Sequence, residues 1–487
     1  MDVLESKSLT PASGLIAGFL KTAYSLQDLV LLEQAIACAL SIELNPLDRV
    51  CASSRAEEGD DKTHYDAVWV RDSVWAYFGL NEYEPTRDEA KRVLQGLLEY
   101  FGTPAQLKRL DAIIQRPQTA YEKDGAMNVL HIRFDGRSPS FNDVQVGGRD
   151  QIWNHKQNDA VALVALATGQ ALLSREWASQ DVPDSAWPFL LRLPTYWDAL
   201  KFESQEDAGA WEEIERVNTS SIALVTSSLE IWQTVFQVPY WREVFQVEAD
   251  QAELKTDKEV LFNGKLESLI ERGYSRIRKQ VPFESPDYPK SDVKYREADA
   301  ALLNLVFPCQ LRKLAIEDKR AVLATVEQLV RERGVLRYFQ DAYQSGNFWL
   351  AGSTGETDSR TDDHSTQDAF SERASRLIPD TEAEWFFDSW MSQCYGILYR
   401  TSGDEKDYHR QVAHFNRALC QITGAGDVGA DGNPVPELSL PESYNTLVEK
   451  NGDRYYAPSP ITPLNWAKAC MRLALEALKA SLRLKSL

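Results

Sequence analysis

Residues 382–423 read EAEWFFDSWMSQCYGILYRTSGDEKDYHRQVAHFNRALCQIT. On both sides of Ser402-Gly403-Asp404 apolar residues recur at i, i+3, i+4 and i+7, the period of a helix that buries one face. The break ends one helix and caps the next, so the stretch predicts two helices, 382–402 and 404–423, joined by about one residue. So short a connection makes them antiparallel neighbours. Outward from here the same period predicts ten more helices, at 26–42, 69–80, 88–101, 159–174, 185–202, 218–236, 258–281, 297–307, 318–333 and 463–485. Alternating apolar and polar runs are few and short.

The connections carry more information than the helices. Those leading into the even-numbered helices are about 26, 57, 15, 15, 48 and 39 residues long, and those leading out are about 7, 10, 21, 10 and 1. Six hairpins with their long loops gathered at one end predict an all-α (α/α)6 toroid, six inner helices within six outer ones, with a pocket at the loop-bearing end. A solenoid of helical pairs would repeat every ~34–47 residues with a repeated signature, and no such repeat is present. A single domain spanning 1–487 is expected, since a closed barrel can absorb so long a chain.

Lys+Arg 53 against Asp+Glu 73 leaves a net charge of −20. That field repels phosphate backbones and anionic head groups, so neither nucleic acid nor a membrane surface is an expected partner. No apolar run approaches the ~18 residues a membrane span needs. A hydrophobic content of 43% and a charged content of 26% exclude collagen-like, disordered and disulfide-scaffold classes. Cys38, Cys51, Cys309, Cys394, Cys420 and Cys470 lack C-x-x-C spacing and read as reduced thiols. The apolar patch near residues 15–20 precedes no convincing cleavage signal, so the cytoplasm is the expected location.

Common cofactor and nucleophile motifs are absent: G-x-x-x-x-G-K-[ST], H-E-x-x-H and G-x-S-x-G do not occur, and the histidines lack paired metal-ligand spacing. No cofactor and no metal are expected. A literal G-x-G-x-x-G at Gly424, Gly426 and Gly429 follows a helix rather than a strand and reads as a turn. Asp362-Asp363-His364 could ligate a cation but reads as a solvated acidic loop.

What remains is polar and aromatic, and it gathers in the long loops. Tyr65-Asp66-Ala67-Val68-Trp69-Val70-Arg71-Asp72, Lys156-Gln157-Asn158-Asp159, Trp211-Glu212-Glu213, Arg337-Tyr338 through Asp341 to Asn347-Phe348-Trp349, and Pro441-Glu442-Ser443-Tyr444-Asn445 all fall on the loop-bearing side. Carboxylates and guanidinium groups hydrogen-bond hydroxyls, and indole faces stack on sugar rings, so the set suits a neutral polyhydroxylated ligand. Cleaving a glycosidic bond needs one protonated carboxyl and one ionised carboxylate. Glu212 and Glu442 precede helices on opposite sides of a six-membered ring and could straddle a sugar. Repulsion from Glu213 and an apolar wall from Trp211 are expected to raise the Glu212 pKa.

At these residues the chain resembles glycoside hydrolase family 15, the glucoamylase-like enzymes, and the related amino-terminal domain of the phosphorylase kinase α and β subunits. The resemblance runs from Tyr65 to Trp466 with the motifs in the family's order. It implies an inverting, exo-acting release of glucose from non-reducing ends of α-glucans or maltooligosaccharides, with Glu212 as general acid and Glu442 as general base. It also implies substrate binding by Arg71, Asp72, Trp69, Asn158, Asp159, Trp211, Glu213, Arg337, Asp341 and Trp349. Lys156 and Ala160 stand where the family has arginine and glycine, and Pro436-Glu437 is a second Pro-Glu that makes Glu437 the reserve base. No segment matches the family's amino-terminal β-sandwich or a starch-binding module, so soluble oligosaccharides or glycogen-like chains are expected over granules. The alternative is a toroid that binds glucan or a partner protein without hydrolysis, as the kinase-subunit resemblance implies.

Overall fold

A computed structural model describes residues 11–53, 64–174, 176–262, 264–350 and 365–486. Six segments form a closed inner ring in chain order: Val70–Glu82, Asn158–Leu173, Thr219–Val235, the 3-10 turn Ala300–Leu305, Asp388–Ser402 and Asn465–Lys485, the last packed against the first. Outside them lie Leu26–Ala35, Arg87–Phe101, Trp187–Leu200, Lys265–Gln280, Ile316–Glu327 and Glu405–Cys420. The division follows from patterning. Asn158–Leu173 buries nearly every residue because neighbours surround it, whereas Lys265–Gln280 buries one stripe and exposes the rest. The fold is the (α/α)6 toroid that the loop lengths imply.

Several boundaries differ from the sequence expectation for identifiable reasons. The expected 258–281 helix is two, Lys255–Phe262 and Lys265–Gln280, because Gly264 turns left-handed at φ +85°. The expected 297–307 helix is only the 3-10 turn Ala300–Leu305, capped by the Asp299 side chain on the Ala301 N–H at 2.8 Å and followed closely by Pro308. Residues 384–385 form a strand, so the inner helix starts at Asp388. Helices Pro104–Gln115, Pro239–Gln251 and Gln367–Ser375 occupy stretches expected to be loop. The first two begin with proline at N1, and Thr103 caps the first of them, a start signal visible in the sequence.

All six inner segments present their N-terminal ends to the long loops, and a plug of aromatic rings closes the ring beneath that end. Trp75 lies 4.7 Å from Trp390 and 5.7 Å from Trp466, centroid to centroid, and Trp466 packs against Phe386 at 5.4 Å. The close crossing of Val70–Glu82 and Asn465–Lys485 needs Gly79, where an added Cβ would sit 2.8 Å from the Ala469 Cα. Over the loop end a three-stranded antiparallel sheet joins Glu384–Trp385, Ser443–Val448 and Arg454–Pro458, with Trp385 opposite Ser443 and Tyr444 opposite Pro458. It anchors the segment that carries Glu442.

Beside the loop-bearing end, a buried ion network joins three helices. His414 Nδ1 lies 2.7 Å from Asp388 Oδ1 and its Nε2 3.1 Å from Glu327 Oε1, while Arg417 Nε donates to Asp388 at 2.8 Å. Burial alone would lower the His414 pKa, but Glu327 and Asp388 outweigh it and raise it from 6.5 to about 9. A raised folded-state pKa stabilises fully below the unfolded value and is lost as pH rises through the folded one. The thermal midpoint is therefore expected to fall between pH 6.5 and about 9. Melting curves across that range should show a flatter profile, from a lower start, in His414→Gln.

Candidate active site

At the N-terminal end of the inner ring the loops enclose a cavity of about 870 Å³, open solvent at its mouth included. Its residues come from across the chain: Tyr65, Trp69, Arg71 and Asp72 at the first inner helix, Arg133 and Trp153 from the loop before the second, Trp211 and Glu212 before the third. Arg337, Tyr343, Arg373 and Trp385 come from the segments before the fifth, and Glu442, Leu464 and Trp466 from around the sixth. Trp211 stacks with Trp466 at 6.4 Å, and its indole N–H donates to Asp299 Oδ1 at 2.7 Å. That size, with aromatic walls and charged side chains between them, suits a small polar ligand or the end of a chain.

Glu212 follows the 3-10 turn Gly209–Trp211 and sits in the left-handed region at φ +60°, a conformation costing a non-glycine residue roughly 1–3 kcal/mol. The strained backbone presents the side chain to the cavity. Arg71 Nη1 donates to its Oε1 at 3.0 Å and the Trp153 indole N–H to its Oε2 at 3.1 Å. Burial nevertheless outweighs Arg71 and raises its pKa. The like charge that contributes is Asp159, not the adjacent Glu213 as expected from the sequence.

Glu213 turns away from the cavity. Arg337 Nη2 donates to its Oε1 at 2.9 Å and the Tyr338 hydroxyl to its Oε2 at 2.5 Å, and its pKa falls because these and neighbouring cations overcome burial. Arg337 also grips Asp341 with two hydrogen bonds, 2.5 and 2.7 Å, a bidentate pairing that fixes the guanidinium plane.

Glu442 is 4% exposed. The Tyr65 hydroxyl donates to Oε1 at 2.6 Å, the Gln344 side-chain amide donates to Oε2, and the Glu442 N–H donates to the Ile461 carbonyl at 3.0 Å. Burial pushes its pKa up to about 7 against those hydrogen bonds and Arg337, with Asp72 adding to the push. Burial likewise raises Asp72 to about 7, against the attraction of Arg71. Glu437, the reserve base, is exposed and does not line the cavity.

Of the sequence-derived candidates, Trp69, Arg71, Asp72, Trp211, Glu212, Arg337 and Glu442 line the cavity. Asn158, Asp159, Glu213, Asp341 and Trp349 do not. Asn158 donates to Gln205 at 2.8 Å, Asp159 accepts from Arg71 at 2.8 Å, and Trp349 packs on Phe348 at 5.4 Å. These five, outside the cavity lining, bond or pack with neighbouring side chains. Sequence reasoning missed Arg133, Trp153, Arg373, Trp385 and Trp466 as lining residues. Trp153, four residues ahead of Gln157 in a long loop, carried a usable signal; Arg133 and Arg373 carried none. Arg133 is sandwiched between Trp69 and Trp153, 4.7 and 4.3 Å from the ring centroids.

Among the described residues no group of three or more His, Cys, Asp or Glu could hold a metal ion, and no helix is long and apolar enough to cross a membrane. Asp362-Asp363-His364 lies outside the described residues. The glycines at 424–429 form a turn, with Gly426 left-handed at φ +83°.

No family model matches the chain. Solved structures with its overall form include a wild-type glycosidase, with TM-score 0.54 and 13% identity, covering 94% of this chain and 99% of that one. A glucoamylase from Saccharomycopsis fibuligera gives TM-score 0.52 and 14% identity over 95% of this chain and 97% of that one. A variant glycosidase in complex with glucose gives TM-score 0.53 and 14% identity over 94% and 99%. The chain is thus a toroid of the glucoamylase fold, with a carboxylate-lined pocket at its loop end. Among curated proteins it is 37% identical to the putative protein YgeP of Escherichia coli K12 over 106 residues, 21% of this chain and 99% of that protein, and it belongs to the same family as YgeP. It is also 40% identical over 159 residues, 31% of this chain, to the uncharacterized lipoprotein YgeQ of the same strain, and the match spans 58% of YgeQ.

The upward push on Glu442 is checked by infrared difference spectroscopy. Its protonated-carboxyl band, identified by its loss in Glu442→Gln, should titrate near pH 7. Tyr65→Phe removes a hydrogen bond that favours the carboxylate, so the titration should move to higher pH, by about one unit.

Proposed function

We propose that the protein is an inverting, exo-acting glycoside hydrolase that releases glucose from the non-reducing ends of α-glucans or maltooligosaccharides. The observation that carries the reading is that two carboxyls 230 positions apart in sequence, Glu212 and Glu442, line one buried cavity, each held by donors on both oxygens. Glu212 gives its proton to the leaving glycosidic oxygen as the C1–O bond breaks. Glu442 takes a proton from the water that attacks C1 from the opposite face. Inversion needs a carboxyl separation of ~6.5–9.5 Å, room for that water. A pocket with a Trp211, Trp385 and Trp466 wall suits one chain end better than a chain passing through, which supports exo action. Arg71, Asp72 and Arg337 bind hydroxyls of the terminal sugar.

Burial raises both carboxyls, Glu442 to about 7, so their titration does not by itself tell the acid from the base. The division of roles therefore rests on the resemblance of Trp211-Glu212-Glu213 and Pro441-Glu442 to the glucoamylase elements, and leaving-group chemistry tests it. Glu212→Gln and Glu442→Gln should each lower kcat on maltotriose ~10²–10⁴-fold. On α-glucosyl fluoride, whose leaving group needs little protonation, Glu212→Gln should recover most activity and Glu442→Gln should not. Proton NMR of the first product should show β-glucose; α-glucose would overturn inversion. Because a base must be ionised, kcat/KM should fall as pH drops below about 7.

The cytoplasm is the proposed location, supported by six unpaired thiols. Since a matched relative is named a lipoprotein, fractionation of cells carrying the full gene product tests it.

A further inference from the structure

We infer that Arg373 reads an anionic group, a carboxylate or a phosphate, on the leaving-group side of the substrate; this rests on the glycoside hydrolase reading of the pocket. The helix Gln367–Ser375 that carries Arg373 buries none of its residues, so it lies on the surface over the loop end. From there the Arg373 side chain reaches inward, only 13% exposed, to line the cavity. A residue that enters from the surface side meets what lies beyond the first sugar.

The hydrogen-bonding state of Arg373 sets it apart from Arg71 and Arg337. Those two donate to carboxylates at 2.5–3.0 Å. Arg373 makes no side-chain hydrogen bond among the described residues, and its nearest carboxylate oxygen, Glu213 Oε1, is 3.8 Å away. That oxygen already accepts from Arg337, and the other Glu213 oxygen accepts from Tyr338. Arg337 and Arg373 share the Tyr343 ring, 4.9 and 5.1 Å from its centroid, so the second guanidinium has a like charge beside it. Burial and Arg337 both disfavour the charge, and Glu213 offsets them only in part. A desolvated guanidinium with five unused donors is best compensated by an anion, in the fork geometry that carboxylate and phosphate share. A neutral hydroxyl offers an acceptor without the charge.

The test compares three α-1,4-glucosides differing only beyond the glucosyl unit: maltitol as the neutral reference, maltobionate for carboxylate and maltose 1-phosphate for phosphate. The readout is the ratio of kcat/KM for each anionic substrate to that for maltitol, measured at low ionic strength in wild type, Arg373→Gln and Arg373→Lys. The ratio cancels any general loss from a disturbed fold. Wild type should favour at least one anionic substrate about ten-fold, Arg373→Gln should bring the ratio near one, and Arg373→Lys should fall between. Which substrate is preferred tells carboxylate from phosphate. A wild-type ratio of one or less, or a preference unchanged in Arg373→Gln, overturns the proposal, as does a rise in the maltitol KM alone. If none of the three is hydrolysed, it is the hydrolase reading that fails. Calorimetric binding of the same compounds then decides: tighter anion binding lost in Arg373→Gln upholds the role of Arg373, and equal or absent binding removes it.

Discussion

Arg71 is the joint on which the site depends. Its Nε donates to Asp159 at 2.8 Å, Nη1 to Glu212 at 3.0 Å, and Nη2 to Gln157 at 2.5 Å and the Gly209 carbonyl at 3.1 Å. One guanidinium thereby ties the first turns of two inner helices to the strained turn carrying Glu212. Burying a charge costs several kcal/mol unless the pairing is complete. Here every nitrogen is engaged, and the two carboxylates that would otherwise repel each other are separated by a cation. The proton affinity of Arg71 rises accordingly, Asp159 and Glu212 overcoming burial.

Glu442 is held by a different kind of contact. Its partners Tyr65 and Gln344 are neutral, so they orient the carboxyl without supplying the opposite charge that Glu212 has. Gln344 is in turn fixed by Ser443, whose hydroxyl donates to its Oε1 at 2.6 Å, and by the Asn445 amide, which donates to its carbonyl at 2.6 Å. The sheet behind Glu442 therefore sets one wall of the pocket as Arg71 sets the other. Between them Trp211, Trp385 and Trp466 provide flat apolar surfaces. Buried polar groups between such walls keep their strength in the low dielectric.

Much of this was legible in the chain because it is local. Helical period, the Ser402-Gly403-Asp404 break and the alternation of long and short connections depend on neighbours in sequence, and they lead to the six-hairpin ring. Trp69, Arg71, Asp72, Glu212, Arg337 and Glu442 stood out as polar or aromatic residues at loop ends, and they do line the pocket. Other expectations failed where a distant partner intervened. Glu213 looked like a neighbour repelling Glu212, yet Arg337 and Tyr338 draw it outward. Residues 384–385 looked helical, yet pairing with Ser443 and Tyr444 makes them a strand.

From its sequence alone the chain determined the six-hairpin plan, which end of the ring bears the long loops, and which residue types gather there, since each follows from spacing along one strand of polypeptide. Only the tertiary structure decided which of those side chains face the cavity and which brace it. Facing or bracing depends on partners far away in sequence. Asp159, Glu213 and Asp341 each pair with an arginine, as Glu212 does, and what sets Glu212 apart is that the strained turn carrying it brings its carboxyl to the space a ligand would fill.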